Sequence, residues 1–348
     1  MERIGINMDL TQEQIYLLKN LSVLPGLPVR AKDLFTFLNI PQDLLVTYFD
    51  ALHSLVPQWL EYNNAYYVLP QEKAREFRLM HKVATTDLFR LMSFFQKFFS
   101  TAEDHDKTLL IAYETYVLSI LNNVEEVSVQ LAQLHAAYAH YLNYMGRYDE
   151  AIMALNNAIE AVNKKQPSSP LVGHYLTEEA FIYLKQGNLE KARLLAFKAR
   201  DSLQKAVGTM PEVTANLYFI LGEVHFKTKE YRQAVHFFQR ALGMIFSGVE
   251  KPDRFLLYTY FKLSEAFRQL KDYDRAKVYI DKALEYLNKL PPKEAAFFRD
   301  QINMQKKVIY GLSLFNDFKS KVVTYGLIAL GFLLLSISLA ALFYYLFK

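Results

Sequence analysis

The sequence predicts a mainly α protein in three parts: a small helical module ending in a hairpin, an array of paired helices, and a single C-terminal helix able to cross a membrane. Three observations carry this. Four amphipathic stretches, starting at Gly146, Gly187, Lys229 and Lys271, repeat nearly the same pattern. The first eighty residues follow a different, non-repeating pattern. Val322–Phe347 then runs for 26 residues without a charge, where about 20 apolar residues suffice to cross a bilayer core.

Composition narrows the function. With 52% hydrophobic and 22% charged residues, most of the 348-residue chain is expected to fold. A formal net charge of +4 is small for this length and argues against a general nucleic-acid binder. The chain has no cysteine, which excludes disulfides, thiolate catalysis and cysteine-ligated metals, and suits a bacterial protein. No cofactor or metal site is expected.

In the first part, residues 11–24, 29–40 and 41–56 read as three helices, the last starting at Pro41, a favoured first-turn position. Residues 59–69 hold two β-prone runs joined by Asn63–Asn64, a hairpin signal. Three helices and a hairpin make a winged helix over residues 1–80. A DNA reader needs cations facing phosphates. The third helix instead carries Asp43 and Asp50 with no Lys or Arg, and the module holds nine acidic against seven basic residues, a net of −2. No nucleic-acid partner is expected.

The second part is periodic. Ala151, Ala192, Ala234 and Ala276 stand 41, 42 and 42 apart, and Ala158, Ala199, Ala241 and Ala283 repeat those spacings. Ala139, Ala180, Gly222 and Ser264 form a third column twelve residues earlier. Three columns of small residues mark places where helices approach too closely for a large side chain. Tyr148, Leu189, Tyr231 and Tyr273 recur as wedges at the start of each second helix. Prolines 167, 170, 211, 252, 291 and 292 follow the second helices, where they are expected to stop them.

This pattern resembles the tetratricopeptide repeat, most clearly in residues 221–242. The interval is 41–42 residues instead of that family's usual 34; the excess is about one extra turn in each helix. Four such repeats are expected over 127–290, a degenerate pair over 81–126, including Thr86–Ser100 and Lys107–Asn122, and a capping helix over 291–318. The resemblance implies a protein or peptide partner in a groove lined by the first helices. Its groove positions carry over onto His140, Tyr144, Phe181, Lys185, Asn216, Glu223, Lys227, Glu265 and Arg268. The N-terminal module is similar in its order of elements to the winged helix that precedes repeat sensors in STAND-class signalling NTPases. No GxxxxGK[ST] accompanies it here, so no NTPase core is assigned.

Enzymatic motifs are missing too. There is no HExxH or GxSxG. His135 and His140 lie five apart, off the three- or four-residue spacing that shares a helix face, and residues 103–106 (EDHD) read as an acidic turn. The third part, residues 319–348, is read as a transmembrane tail anchor. Lys306, Lys307, Lys319 and Lys321 precede the span and only Lys348 follows it, and no basic-then-apolar leader opens the chain. Both signals put the bulk of the chain in the cytoplasm. The expected function is a membrane-anchored scaffold or adaptor. The alternatives are a sensor working with a separate effector and a membrane-tethered winged-helix transcription regulator. Self-association is left open, Ser336 and Ala340 forming one small-xxx-small pair.

Overall fold

The computed structural model describes residues 10–56, 58–246 and 253–346, with side chains described as far as Ser336 on the last helix. The chain divides into two compact units, Met1–Met210 and Pro211–Lys348.

The first unit opens with α1 (Gln12–Leu21), β1 (Val29–Arg30), α2 (Ala31–Phe37), α3 (Leu45–Ser54), β2 (Glu61–Asn63) and β3 (Tyr66–Val68). Thr11 starts α1 with a capping box, its hydroxyl accepting from the Gln14 amide while Gln14 reaches back to the Thr11 amide. The strands form one antiparallel sheet in the order β1-β3-β2. β1 lies within the segment expected to be wholly helical. Val29 is buried there, opposite Tyr67. The hairpin turn also sits one residue later than expected. Asn64 and Ala65 take φ of 50° and 69°, while Asn63 still belongs to β2. Two consecutive positive φ values match the right-handed twist of a tight hairpin.

A helix not anticipated from the sequence, α4 (Gln71–Met80), follows the hairpin and packs Phe77 edge-on against Trp59 at 5.7 Å. Then come α5 (Phe89–Ser100) and α6 (Lys107–Asn123). The buried core runs from Leu17 to Ile182 with no break near residue 80. Phe37 makes the join: its ring lies 4.9 Å from those of both Phe94 and Phe95 and 5.3 Å from that of Tyr113.

Paired helices complete this unit: α7 (Val129–Tyr144) with α8 (Tyr148–Lys165), and α9 (Pro170–Lys185) with α10 (Leu189–Lys205). The second unit continues with α11 (Pro211–Lys227) and α12 (Tyr231–Phe246), then α13 (Asp253–Gln269) and α14 (Tyr273–Leu287). The wedge residues Tyr148, Leu189, Tyr231 and Tyr273 are the first residues of the second helices. All twelve small residues of the three columns are buried. A β-carbon added to Gly222 would lie 2.5 Å from the Phe238 ring, which is itself fully buried. That is why the column tolerates nothing larger at this point.

Each pair turns through one device. Gly146, Gly187, Lys229 and Lys271 occupy equivalent positions with φ of 80°, 78°, 63° and 61°. The next amide donates five residues back, as in Asn188 to the Tyr183 carbonyl at 2.9 Å and Asp272 to the Phe267 carbonyl at 3.0 Å. This left-handed closure satisfies carbonyls that the helix end would leave open. Glycine adopts it freely, and two of the turns impose it on lysine. Pro167 and Pro291 stand in the turns after α8 and α14, as expected, while other prolines open helices. Pro170, Pro211 and Pro292 are the first residues of the next helices, where a missing amide costs nothing; Pro252 lies outside the described residues.

The last helix, α15 (Pro292–Leu346), has 55 residues. The expected cap and span are thus one unbroken helix, with no interruption at Lys319–Lys321. Ala295, Ile302 and Ile309 are buried at seven-residue intervals against α13 and α14. The Tyr310 hydroxyl donates to Asp281 at 2.6 Å, and Lys306 pairs with the same carboxylate at 2.9 Å. From Leu314 to Ser336 every residue is exposed. This is a helix long and apolar enough to cross a membrane, with none of its apolar window buried. Phe347, at the end of the expected span, lies outside the described residues.

Candidate functional site

The expected groove residues fall in both units, four in the first and five in the second. Within each helix they share a face: His140 and Tyr144 on α7, Phe181 and Lys185 on α9, Glu223 and Lys227 on α11 are all four apart. His140, Phe181, Glu223 and Glu265 occupy the same position of successive repeats, at intervals of 41, 42 and 42.

In the first unit, α7 meets the turn before α6. His140 Nε2 lies 3.0 Å from Glu103 Oε2, and Lys107 Nζ lies 5.8 Å from the centre of the Tyr144 ring. The acidic turn expected at residues 103–106 therefore supplies a partner for a groove histidine. On α9, Lys185 Nζ sits 4.9 Å above the Phe181 ring and donates to Asn143 Oδ1 of α7 at 3.1 Å. Phe181 keeps 37% of its surface exposed and Tyr144 40%. Together they offer aromatic faces edged by lysines. Beneath them Glu114 of α6 accepts from the Tyr138 and Tyr141 hydroxyls at 2.7 and 2.9 Å and from Arg147, tying α6 to α7. Burial, then the hydrogen bond to Glu114, pushes the Tyr141 hydroxyl up to about 12.

In the second unit the structure joins Glu223 and Glu265 through a residue the sequence reading passed over. Lys262 Nζ lies 3.4 Å from Glu223 Oε1 and 3.3 Å from Glu265 Oε2. Its ammonium also sits 5.4 Å from the ring centres of both Phe226 and Tyr258. Burial works against the Lys262 charge, but the two carboxylates outweigh it and raise its pKa. Burial pushes the Glu223 carboxyl up. Arg268 Nε is buried without a hydrogen-bond partner among the described residues. Asn216 and Lys227 lie exposed on either side of Glu223 along α11. The arrangement is a buried charge cluster with exposed polar flanks.

His135, five residues before His140, is half-buried on α7, and desolvation lowers its pKa to about 4 from the usual value of about 6.5. Between those values the unfolded chain takes up a proton that the folded chain refuses. Stability is therefore expected to be full above pH about 6.5 and to decline as the pH falls toward about 4. Thermal unfolding of the full chain in detergent across that range should show the decline, and His135→Phe should flatten it. An unchanged slope in the variant would assign the effect to other groups.

Residues 213–289 match the family model of the tetratricopeptide repeat. Over 109 residues the chain is 30% identical to the nuclear autoantigenic sperm protein of Bos taurus, a match covering 30% of this chain and 13% of that protein. Among solved structures it is similar to the apo form of RapI, at 14% identity and a TM-score of 0.50, covering 70% of this chain and 65% of that one. It also aligns with BtubC (BKLC) from P. vanneervenii at 19% identity and a TM-score of 0.46, covering 64% and 89%. A STAND protein with a tetratricopeptide repeat sensor from Pyrococcus horikoshii aligns at 15% identity and a TM-score of 0.33, covering 86% and 54%. At such identities likeness concerns the fold alone, and the last two alignments carry no argument. The matched segment begins in α11 and ends just beyond α14, so the second unit is similar to tetratricopeptide repeats over α11–α14, and the fold is that of paired, repeated helices.

Proposed function

We propose that this chain is a scaffold held at a membrane, with paired helices that take a protein segment and α15 as the attachment. The observation that carries the reading is α15 itself. One helix packs on α13 and α14 through Ala295, Ile302 and Ile309 and continues as an exposed, uncharged run. The repeats are the binding part, with Phe181–Lys185 and the exposed Asn216 and Lys227 beside the Lys262 cluster as the faces offered. Lys306, Lys307, Lys319 and Lys321 favour the cytoplasmic side for the repeats.

The test is extraction. The full chain should stay with membranes through alkaline carbonate and be released by Leu330→Lys with Leu334→Lys, since each charge costs about 2.5–3.5 kcal/mol at the centre of a span. Recovery of the unaltered chain in the carbonate supernatant would end the proposal of a span. Photocrosslinking from position 181 or 227, but not from exposed Val278 on α14, tests the binding faces.

The order α1, β1, α2, α3, β2, β3, helices closed by a hairpin, is compatible with the expected winged helix. It supports the second reading, a sensor acting with a separate effector. The two readings share the repeat surface and differ in whether a nucleotide-dependent partner is recovered with it. A regulator of transcription finds no support from α3, which has no Lys or Arg.

A further inference from the structure

A second surface lies in the N-terminal module, independent of the repeats and of the proposed span. On α3, Val46, Phe49, Asp50 and His53 follow the spacing of one helical stripe, and Asp43 continues it one turn earlier. A stripe of this kind normally faces a core. Here Val46 is 72% and Phe49 47% exposed, and Leu52 is the only buried residue of the helix.

The hairpin extends the surface. His53 stacks on Phe49 with ring centres 6.2 Å apart and meets the edge of Tyr62 at 5.7 Å. Tyr62 is itself 48% exposed. The result is an apolar ridge of Val46, Phe49, His53 and Tyr62, with Asp43 and Asp50 along one side. The sequence that builds it carries charge of one sign. Between Lys32 and Lys73 the chain has no Lys or Arg, and it places Asp33, Asp43, Asp50, Glu61 and Glu72 there.

We infer that the α3–hairpin ridge docks a basic amphipathic helix of a protein partner. The apolar residues of that helix would lie on Val46, Phe49 and Tyr62, with its lysines or arginines facing Asp43 and Asp50. The ridge supplies the apolar seat that a helix in a groove requires. The acidic edge selects the sign of the partner and speeds encounter. Aromatic faces beside the carboxylates add attraction for the same cations. Nucleic acid is disfavoured by the same acids, which would face its phosphates.

The probes are synthetic amphipathic helices of about 18 residues, each with one leucine stripe and a polar face of lysine, glutamine or glutamate. They are titrated by fluorescence anisotropy against the full chain in an uncharged detergent, at about 50 and 300 mM salt to vary screening. The lysine peptide should bind at least about tenfold tighter than the glutamine peptide, and less tightly at the higher salt. Phe49→Ser should weaken it about tenfold or more, as loss of a central aromatic anchor does. Asp43→Asn with Asp50→Asn should weaken it about threefold to tenfold and flatten its salt dependence. Val278→Ser, on α14, should leave it unchanged. The inference is overturned if the lysine and glutamine peptides bind alike, if the ridge variants bind the lysine peptide as the unaltered chain does, or if a DNA duplex displaces it from the ridge. Failure here would leave the carbonate and groove experiments untouched.

Discussion

Lys262→Ala is expected to destabilise the second unit by about 3–5 kcal/mol, the usual cost of removing one partner from a buried charge cluster. The lysine side chain is 14% exposed and Glu223's 9%, so water cannot take over the role of the ammonium. Without it, two carboxylates on neighbouring helices face each other with their shared cation gone. The packing of Phe226 and Tyr258 around the lysine stem is lost at the same time. Denaturant unfolding of the full chain in detergent should show the loss, and hydrogen exchange should locate it in α11 and α13. Combining Lys262→Met with Glu223→Leu and Glu265→Gln should return much of the stability, because an apolar replacement removes the desolvation cost with the charges. A single Lys262→Ala that shifts stability by less than about 0.5 kcal/mol, the range of ordinary surface changes, would mean that the cluster holds nothing together.

The second large effect is expected at Phe37→Ala, again about 3–5 kcal/mol, from the lost transfer energy, the cavity and the aromatic contacts. Phe37 is 1% exposed and meets four rings, Phe94, Phe95, Tyr113 and Tyr116, with centres 4.9 to 5.6 Å away. Those contacts join α2 to α5 and α6. Protection from exchange should therefore fall in α2, α5 and α6 before it falls in α9 and α10. Phe89→Ala, at a position 53% exposed on α5, should stay within about 0.5 kcal/mol. Equal effects at the two positions would show that Phe37 is no joint.

The repeats were legible because their signal is steric. A column such as Ala151, Ala192, Ala234 and Ala276 admits little but small residues, so the sequence displays the close approach directly. The turns were less so, since Lys229 and Lys271 disguise the left-handed position that Gly146 and Gly187 declare. Among the groove candidates, Glu223 and Glu265 could be placed in one column, but Lys262 could not be singled out. Three residues from Glu265, it looks like half of an ordinary surface pair; its other partner is a full repeat away in sequence. The register of Glu223 with Glu265 was the signal that could have found it. β1 escaped because two residues have no period of their own and become a strand only against β3. The boundary drawn between cap and span at residues 318 and 319 is no break in the helix for a related reason. Lys319, Ser320 and Lys321 are tolerable inside a helix, and neither proline nor glycine stands there to end it.

That unbroken helix fixes a phase as well as a distance. At 1.5 Å and 100° per residue, α15 extends about 82 Å, and the azimuth of each residue along it is set by where Ile302 and Ile309 lock against α13 and α14. With no joint to absorb torsion, a turn of the span about its own axis is a turn of the seam beneath α14. One residue inserted between Ser313 and Val322 would swing every residue beyond it by about 100°, while about seven would nearly restore the original heading some 10 Å further out. The helix thus works as a keyed shaft, holding its exposed apolar run at one bearing relative to α13 and α14.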